Sequence, residues 1–432
     1  MKSIDVITLG CAKNLVDSER LLKMLSDNGF KPRHDPDESL EPSSIVVINT
    51  CGFIADAKME SIETILRYAA AKDEGKVEKL IVMGCLSERY KNELPEQLPE
   101  VDSFYGKFDW DKMVADLVRN VKNDDSYSRI ITTKPSHAYI KIAEGCNRFC
   151  AFCAIPLITG RYKSRSIEEI VAEVKSLTQQ GITEFNIIAQ DLSSYGVDLY
   201  GKHRLADLVN AISEIEAVKW IRLHYAYPAD FPYDILPVIR ENPKVCKYLD
   251  IALQHISDPV LANMRRHFSK EDTIELVNRI RREVPGIHLR TTLMVGFPGE
   301  GRKEFNELMN YVSEARFERM GAFAYSEEDD TYAAKNFKDS IDKRTKSRRL
   351  DKIMALQEEI AMELQLEKVG SIQEVVIDRE EDEYYVGRTQ YDSPEVDPEV
   401  FVDKRKKLQL GNYYKVKIEK ALPFELFGTL AQ

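Results

Sequence analysis

The stretch AYIKIAEGCNRFCAFCAIP, residues 138–156, runs from a short apolar strand directly into three cysteines, Cys146, Cys150 and Cys153, spaced C-x3-C-x2-C. AYIKIAEG is the first of a series of similar runs: EFNIIAQD, KWIRLHYA, YLDIALQH, HLRTTLMVGF and GAFAYS. Helical patterns fall between them, at 167–179, 273–284 and 303–315. Six strand–helix units predict an incomplete, TIM-like (βα)6 barrel over 138–342, with its chemistry at the C-terminal mouth of the strands. The cysteine motif leaves the first strand at that mouth.

Toward the N-terminus, residues 1–122 also alternate apolar strands with amphipathic helices, expected at 15–28, 54–71 and 87–93. This predicts an α/β domain with a parallel, doubly wound sheet. Three of its strands, VITLGC, VVINTC and LIVMGC, each close on one cysteine: Cys11, Cys51 and Cys85. In such a sheet ligands bind outside the carboxyl ends of the strands, so three cysteines far apart in sequence can converge on one point. The polar stretch at 123–137 reads as a linker, and 343–368 as a long charged helix. From 369 to 432 the short strands SIQEVVID, EYYVGRT, EVFVD and YYKVKIEK, with turns at 392–394 and 411–412, predict a small all-β, OB-like barrel.

With 43% hydrophobic and 31% charged residues in 432, the composition is that of an ordinary globular protein. No apolar run approaches the roughly 18 residues of a membrane span. The start, MKSIDVITLG, lacks the layout of a secretion signal, so no membrane partner and a cytoplasmic location are expected. An odd count of seven cysteines argues against a disulfide framework and for metal or redox work. The net charge of −11 disfavours a phosphate backbone as partner and favours a basic one.

Three closely spaced thiols lack the second pair that a zinc site normally takes nearby. A four-iron cluster takes four thiolates, and three would leave one iron open to an exogenous ligand. A zinc knuckle completed by a distant ligand stays as the alternative for this motif. C-x3-C-x2-C on the first strand of a partial barrel resembles the radical S-adenosylmethionine superfamily. The resemblance implies a 4Fe–4S cluster on Cys146, Cys150 and Cys153 whose open iron holds S-adenosylmethionine. LMVGFPGE, residues 293–300, resembles the glycine-bearing strand end against which that cofactor packs, making Gly296 a candidate. Arg165, Gln190 and Tyr225 are further cofactor-site candidates, the last two at strand ends beside Asp191 and Gln254. His224 and His255 fit structural hydrogen bonding better than proton transfer, and Cys246 fits the core.

Taken whole, the chain is similar to the methylthiotransferase family, with a TRAM-like C-terminal barrel. That resemblance implies a second 4Fe–4S cluster on Cys11, Cys51 and Cys85, fed by sulfide or persulfide, with the carrier domain seated over the barrel mouth. It also implies one S-adenosylmethionine as methyl donor, another as radical source, and an electron donor such as flavodoxin. TLGCAKNLVDSE, residues 8–19, and DSPEVDPEV, residues 392–400, resemble the branch that modifies an aspartate of ribosomal small-subunit protein S-twelve. From 366 to 432 there are 14 acidic against 10 basic residues, which suits a basic ribosomal protein better than RNA. Transfer-RNA adenosine is the alternative substrate, and a noncatalytic zinc protein of the ribosome a more distant one. Two departures stand out: Thr159 where the family pattern has arginine, and Asp330 and Tyr332 where it has glycine and often proline.

Overall fold

The computed structural model describes residues 2–37, 39–118, 127–133 and 136–431; of the expected linker, 123–126, 134 and 135 lie outside them. Unbroken runs of β-branched and aliphatic residues form strands covered on both faces. Ser3–Thr8, Ile45–Thr50 and Lys79–Gly84 are such strands, with nearly every residue buried. Lys31–His34 and Ser103–Phe104 add edges that the sequence pattern does not announce. The sheet is five-stranded and parallel, in the order 31–34, 3–8, 45–50, 79–84, 103–104. Helix Ala12–Asp27 packs Leu21, Leu22 and Leu25 on one face, and Ala55–Asp73 packs Ile65 and Ala69 on the other. The domain is doubly wound.

The central unit is an open sheet of six parallel strands in chain order: His137–Lys141, Glu184–Ile188, Trp220–Ala226, Val245–Gln254, His288–Val295 and Arg319–Ala324. Helices Ile167–Thr178 and Lys270–Glu283 begin with capping boxes, Ser166 with Glu169 and Ser269 with Asp272. The long helix Lys343–Leu366 lies on the sixth strand and sends Ile353 and Ile360 into the same core. Cys246 is a core residue beside Trp220 and Tyr248.

The C-terminal barrel is closed by five strands, Ile372–Glu380, Tyr384–Thr389, Glu399–Asp403, Glu425–Leu430 and Tyr413–Leu422. The sequence pattern does not separate the strand Glu425–Leu430, because the tight turn holding Pro423 merges it with its neighbour. It closes the barrel by pairing in parallel with Glu399–Asp403.

Buried ion pairs join the three units. Near the N-terminal ends of the central strands, Glu184 is gripped by Arg222 and by Arg388, whose Nη2 lies 2.9 Å away. Arg388 also donates to Asp378 at 2.6 Å. Arg319 meets Asp392 and Arg290 meets Asp397, each at 2.5 Å. Burial opposes charge on Glu184, but the two guanidinium groups outweigh it and hold the carboxyl well below its usual range. On the opposite side, Arg129 pairs with Glu19 and Glu173, both at 3.0 Å. Burial likewise opposes Glu173, yet Arg129, Arg165 and Arg20 bring it down to about 2.

Removing one partner from such a pair leaves a buried charge uncompensated, at about 3–5 kcal/mol. Glu184→Gln is therefore expected to lower stability by about that amount and to open the segment 389–398 to limited proteolysis. An unchanged melting temperature and digestion pattern would contradict this.

Acid weakens the fold by a separate route. Burial leaves His137 neutral down to about pH 4, with Arg388 adding to the effect, and burial also drives His224 and His288 well below the ordinary histidine value. Above about pH 6.5 both folded and unfolded chains hold these rings neutral. Below it only the unfolded chain takes up the proton, so stability falls by about 1.4 kcal/mol per pH unit for each histidine. Melting temperature should decline from pH 7 to pH 5, and His137→Phe should make the decline shallower; an equal slope would remove His137 from the explanation.

Candidate active site

Strand register sets the first cysteine triplet. Thr50 pairs with Gly84 and Thr8 with Asn49, so Cys51 and Cys85 follow at one level on neighbouring strands. Cys11 returns to that level as the N-cap residue of helix Ala12–Asp27. Gly10 and Gly84 adopt φ of +93° and +101°, a region that favours glycine. A Cβ on Gly10 would stand 2.9 Å from the Cys51 sulfur, so the Gly-Cys ending lets the thiols crowd together. Asn14 ties the ends: its Nδ2 donates to the carbonyls of Leu9 and Thr50, each at 3.0 Å, and its Oδ1 lies 3.5 Å from the Cys85 sulfur.

The charges differ across this triplet. Burial pushes the Cys85 thiol up to about 12 and raises Cys51 as well. Cys11 stands at the exposed lip. Its crowded surroundings act to raise it, but the Lys13 ammonium, the backbone N–H groups of Asn14 and Lys13, and Lys107 leave it below the ordinary thiol value.

The second triplet occupies the loop after His137–Lys141. Arg148 anchors that loop, with Nε 2.7 Å from Asp191 and Nη1 2.9 Å from Asp230. The Arg148 backbone N–H approaches the Cys146 sulfur at 3.5 Å, and Arg266 Nη1 donates to the Cys150 sulfur at 3.2 Å. Tyr227 Oη lies 4.0 Å from the same sulfur. Burial pushes Cys146 up to about 12 and Cys153 further.

Both triplets suit iron–sulfur ligation by their donor chemistry: three thiols each, and N–H and guanidinium donors aimed at sulfur in the second. Iron binding would draw off the protons that burial retains. Among the described residues no three His, Cys, Asp or Glu side chains close round a single ion, whereas a cluster spreads its thiolates over separate irons.

The elements that carry the two triplets pack on one another. Val16, on the helix that starts at Cys11, packs on Tyr139 and Ile188 at the ends of the first two central strands. Helix Cys85–Arg89 rests on Ile155–Thr159, the helix that follows Cys153. Two ionic seams hold this closure. Asp17 and Glu144 share Lys107 and Lys141, and the Lys107 contacts are 3.6 Å. Glu328 takes Lys58 at 2.8 Å and Arg89 at 3.0 Å, while Arg89 also donates to the Gly52 carbonyl at 2.8 Å.

The remaining candidates separate. Tyr225 ends the third strand at φ +67°, half-exposed, under the Lys13 ammonium. Gln190 lies just past the second strand, half-buried. Gly296 faces the long helix, where a Cβ would run into the Lys346 side chain. Arg165 pairs with Glu173 at 2.6 Å and donates to the Lys141 carbonyl at 2.8 Å, bracing the first strand. His224 approaches Asn186 at 3.2 Å, and His255 approaches Glu300 at 3.3 Å.

Thr159 turns its hydroxyl back to the Ile155 carbonyl. Asp330 adopts φ +62°, which explains why glycine is usual there. Tyr332 is the first residue of a helix, a position that suits proline. Sequence reasoning missed Asn14, Arg148 and Arg266. Asn14 stands within a quoted motif, but nothing local marks Arg266.

Comparison with known families places these features. The family described as "Uncharacterized protein family UPF0004" matches residues 3–106, the radical SAM superfamily 140–312, and the TRAM domain 369–430. A Phocaeicola vulgatus protein named ribosomal protein uS12 methylthiotransferase RimO is 56% identical over 429 residues, covering 99% of each chain. A Parabacteroides distasonis protein of the same name is 54% identical, covering 99% of this chain and 98% of its own. Among solved structures, the radical S-adenosylmethionine methyltransferase TsrM from Kitasatospora setae aligns with a TM-score of 0.54 at 16% identity, over 74% of this chain and 73% of its own, a likeness of fold. The chain belongs to the RimO-type radical S-adenosylmethionine methylthiotransferase family.

Proposed function

We propose that the chain replaces a hydrogen on the β-carbon of an aspartate of ribosomal protein uS12 with a methylthio group, using two 4Fe–4S clusters. The observation that carries this reading is the closure of the Cys11, Cys51 and Cys85 triplet over the mouth that holds Cys146, Cys150 and Cys153. One substrate carbon can then meet a hydrogen-abstracting centre and a sulfur-bearing centre without leaving the site. Whole-chain identity to the uS12 methylthiotransferases supports the substrate.

When bound, the cluster of the central barrel with S-adenosylmethionine supplies hydrogen abstraction, and the second cluster, with sulfide or persulfide, supplies sulfur. The chain's own residues set the stage. Arg148 and Asp191 fix the motif loop, Arg266 steadies the Cys150 sulfur, and Asn14 fixes the strand ends that present the other triplet. The two ionic seams join the units that carry the triplets. Reductant from a donor such as flavodoxin and a cytoplasmic location complete the reading. No helix among the described residues is long and apolar enough to cross a membrane. The acidic C-terminal barrel suits a basic ribosomal protein and disfavours transfer RNA.

Under anaerobic conditions, enzyme reconstituted with iron and sulfide and supplied with reductant and S-adenosylmethionine is offered uS12 and bulk transfer RNA together. Mass spectrometry is expected to find the methylthio group on an aspartate of uS12. Cys51→Ala and Cys150→Ala should each lose about half the iron and all product, while Cys246→Ala keeps its iron. Methylthiolation of the RNA alone, or full iron in both variants, would overturn the reading.

A further inference from the structure

Lys13 is only 6% exposed, yet among the described residues its ammonium has no carboxylate within ion-pair distance. Its close partner is the face of Tyr225, with Nζ 3.7 Å from the ring centre. Its first counter-charge is the Cys11 thiol two residues away, and the acids around it are engaged elsewhere. Asp17 and Glu144 go to Lys107 and Lys141, and Asp397 goes to Arg290. Asp250, on the fourth central strand, has Arg290 as its strongest counter-charge and Lys13 as a weaker one. A buried ammonium is costly unless an anion completes it. A ring face on one side and no carboxylate within ion-pair distance leave this one able to take an anion that arrives from outside.

Two further features mark the same mouth. Tyr225 and Gln254 end neighbouring strands with φ of +67° and +70°, left-handed backbone that clusters at binding sites. Gln254 is 8% exposed and its Oε1 accepts no hydrogen bond among the described residues. Lys13 lacks a carboxylate and Gln254 an N–H donor, the two things an acidic residue in a peptide carries.

We propose that Lys13 anchors the side-chain carboxylate of the substrate aspartate; this rests on the reading that the substrate is an aspartate of uS12. The β-carbon of aspartate is bonded directly to its carboxylate carbon. Pinning that carboxylate on Lys13 therefore fixes the reacting carbon one bond away, beside Cys11 and within the shared mouth. Tyr225 holds the ammonium in place, so the pair acts as a specificity element for an acidic side chain.

Holoenzymes of wild type, Lys13→Arg and Lys13→Met are compared using uS12 as substrate. The competitive inhibitor is uS12 with its modified aspartate replaced by asparagine. Lys13→Met is expected to keep its iron content and its affinity for S-adenosylmethionine. Its KM for uS12 should rise on the order of tenfold to a hundredfold, the effect of losing a charge-assisted hydrogen bond. Wild type should bind the asparagine form far more weakly than native uS12, Lys13→Met should bind the two alike, and Lys13→Arg should restore most of the discrimination. An unchanged KM and intact discrimination in Lys13→Met would overturn the assignment, as would a loss confined to iron or to S-adenosylmethionine affinity. Wild-type enzyme that leaves uS12 unmodified would instead overturn the functional reading beneath it.

Discussion

A buried guanidinium or ammonium is costly unless a counter-charge meets it, and this chain meets it with carboxylates at each joint between its units. Arg129 is matched by Glu19 and Glu173, Arg89 and Lys58 by Glu328, and Arg222 and Arg388 by Glu184. In each case at least one partner comes from a different unit. The pairs therefore act less as a source of net stability than as a specification of how the domains meet, since an apolar seam would tolerate sliding that a matched charge forbids. For the proposed function the cysteine triplets have to face one another, so an orientation fixed by charge has direct chemical use.

The same economy of construction appears at the sulfur atoms. A parallel sheet delivers the ends of its strands to one edge, and three strands closing on cysteine turn that edge into a tripod. Two of the three cysteines follow glycines in left-handed backbone, which lets the chain turn sharply and leaves room for a neighbouring thiol. Asn14 then locks two strand ends and one cysteine with a single side chain. The tripod of the central barrel is built differently, on one loop, and needs outside braces: Arg148 to Asp191 and Arg266 to Cys150.

Much of this arrangement can be read from the sequence. Unbroken aliphatic runs locate the strands of the two α/β units, and their parallel arrangement predicts where Cys11, Cys51 and Cys85 gather. What stays hidden depends on tertiary partners. Lys31–His34 is an edge strand with a proline and three charged or titratable residues, so it lacks a strand signature. Glu425–Leu430 hides behind a turn. DSPEVDPEV reads as a loop of the small barrel, whereas in the fold its aspartates reach Arg319 and Arg290 beneath the central sheet. Gly296 matches a cofactor motif in sequence, but its missing side chain makes way for the close passage of Lys346. Arg165, read as a cofactor-site candidate, also braces a strand. Long polar side chains declare their partners only when the chain has folded around them.

If ionic seams hold the carrier domain so that two clusters share one mouth, the spacing of those clusters is a property of the seams. Pulsed electron paramagnetic resonance on the reconstituted, reduced holoenzyme measures the magnetic coupling between the clusters directly. Wild type should show a single resolved coupling, and Glu328→Gln, which cuts one seam, a broadened distribution. Two fully loaded clusters with no measurable coupling, or a coupling indifferent to that substitution, would refute the shared mouth.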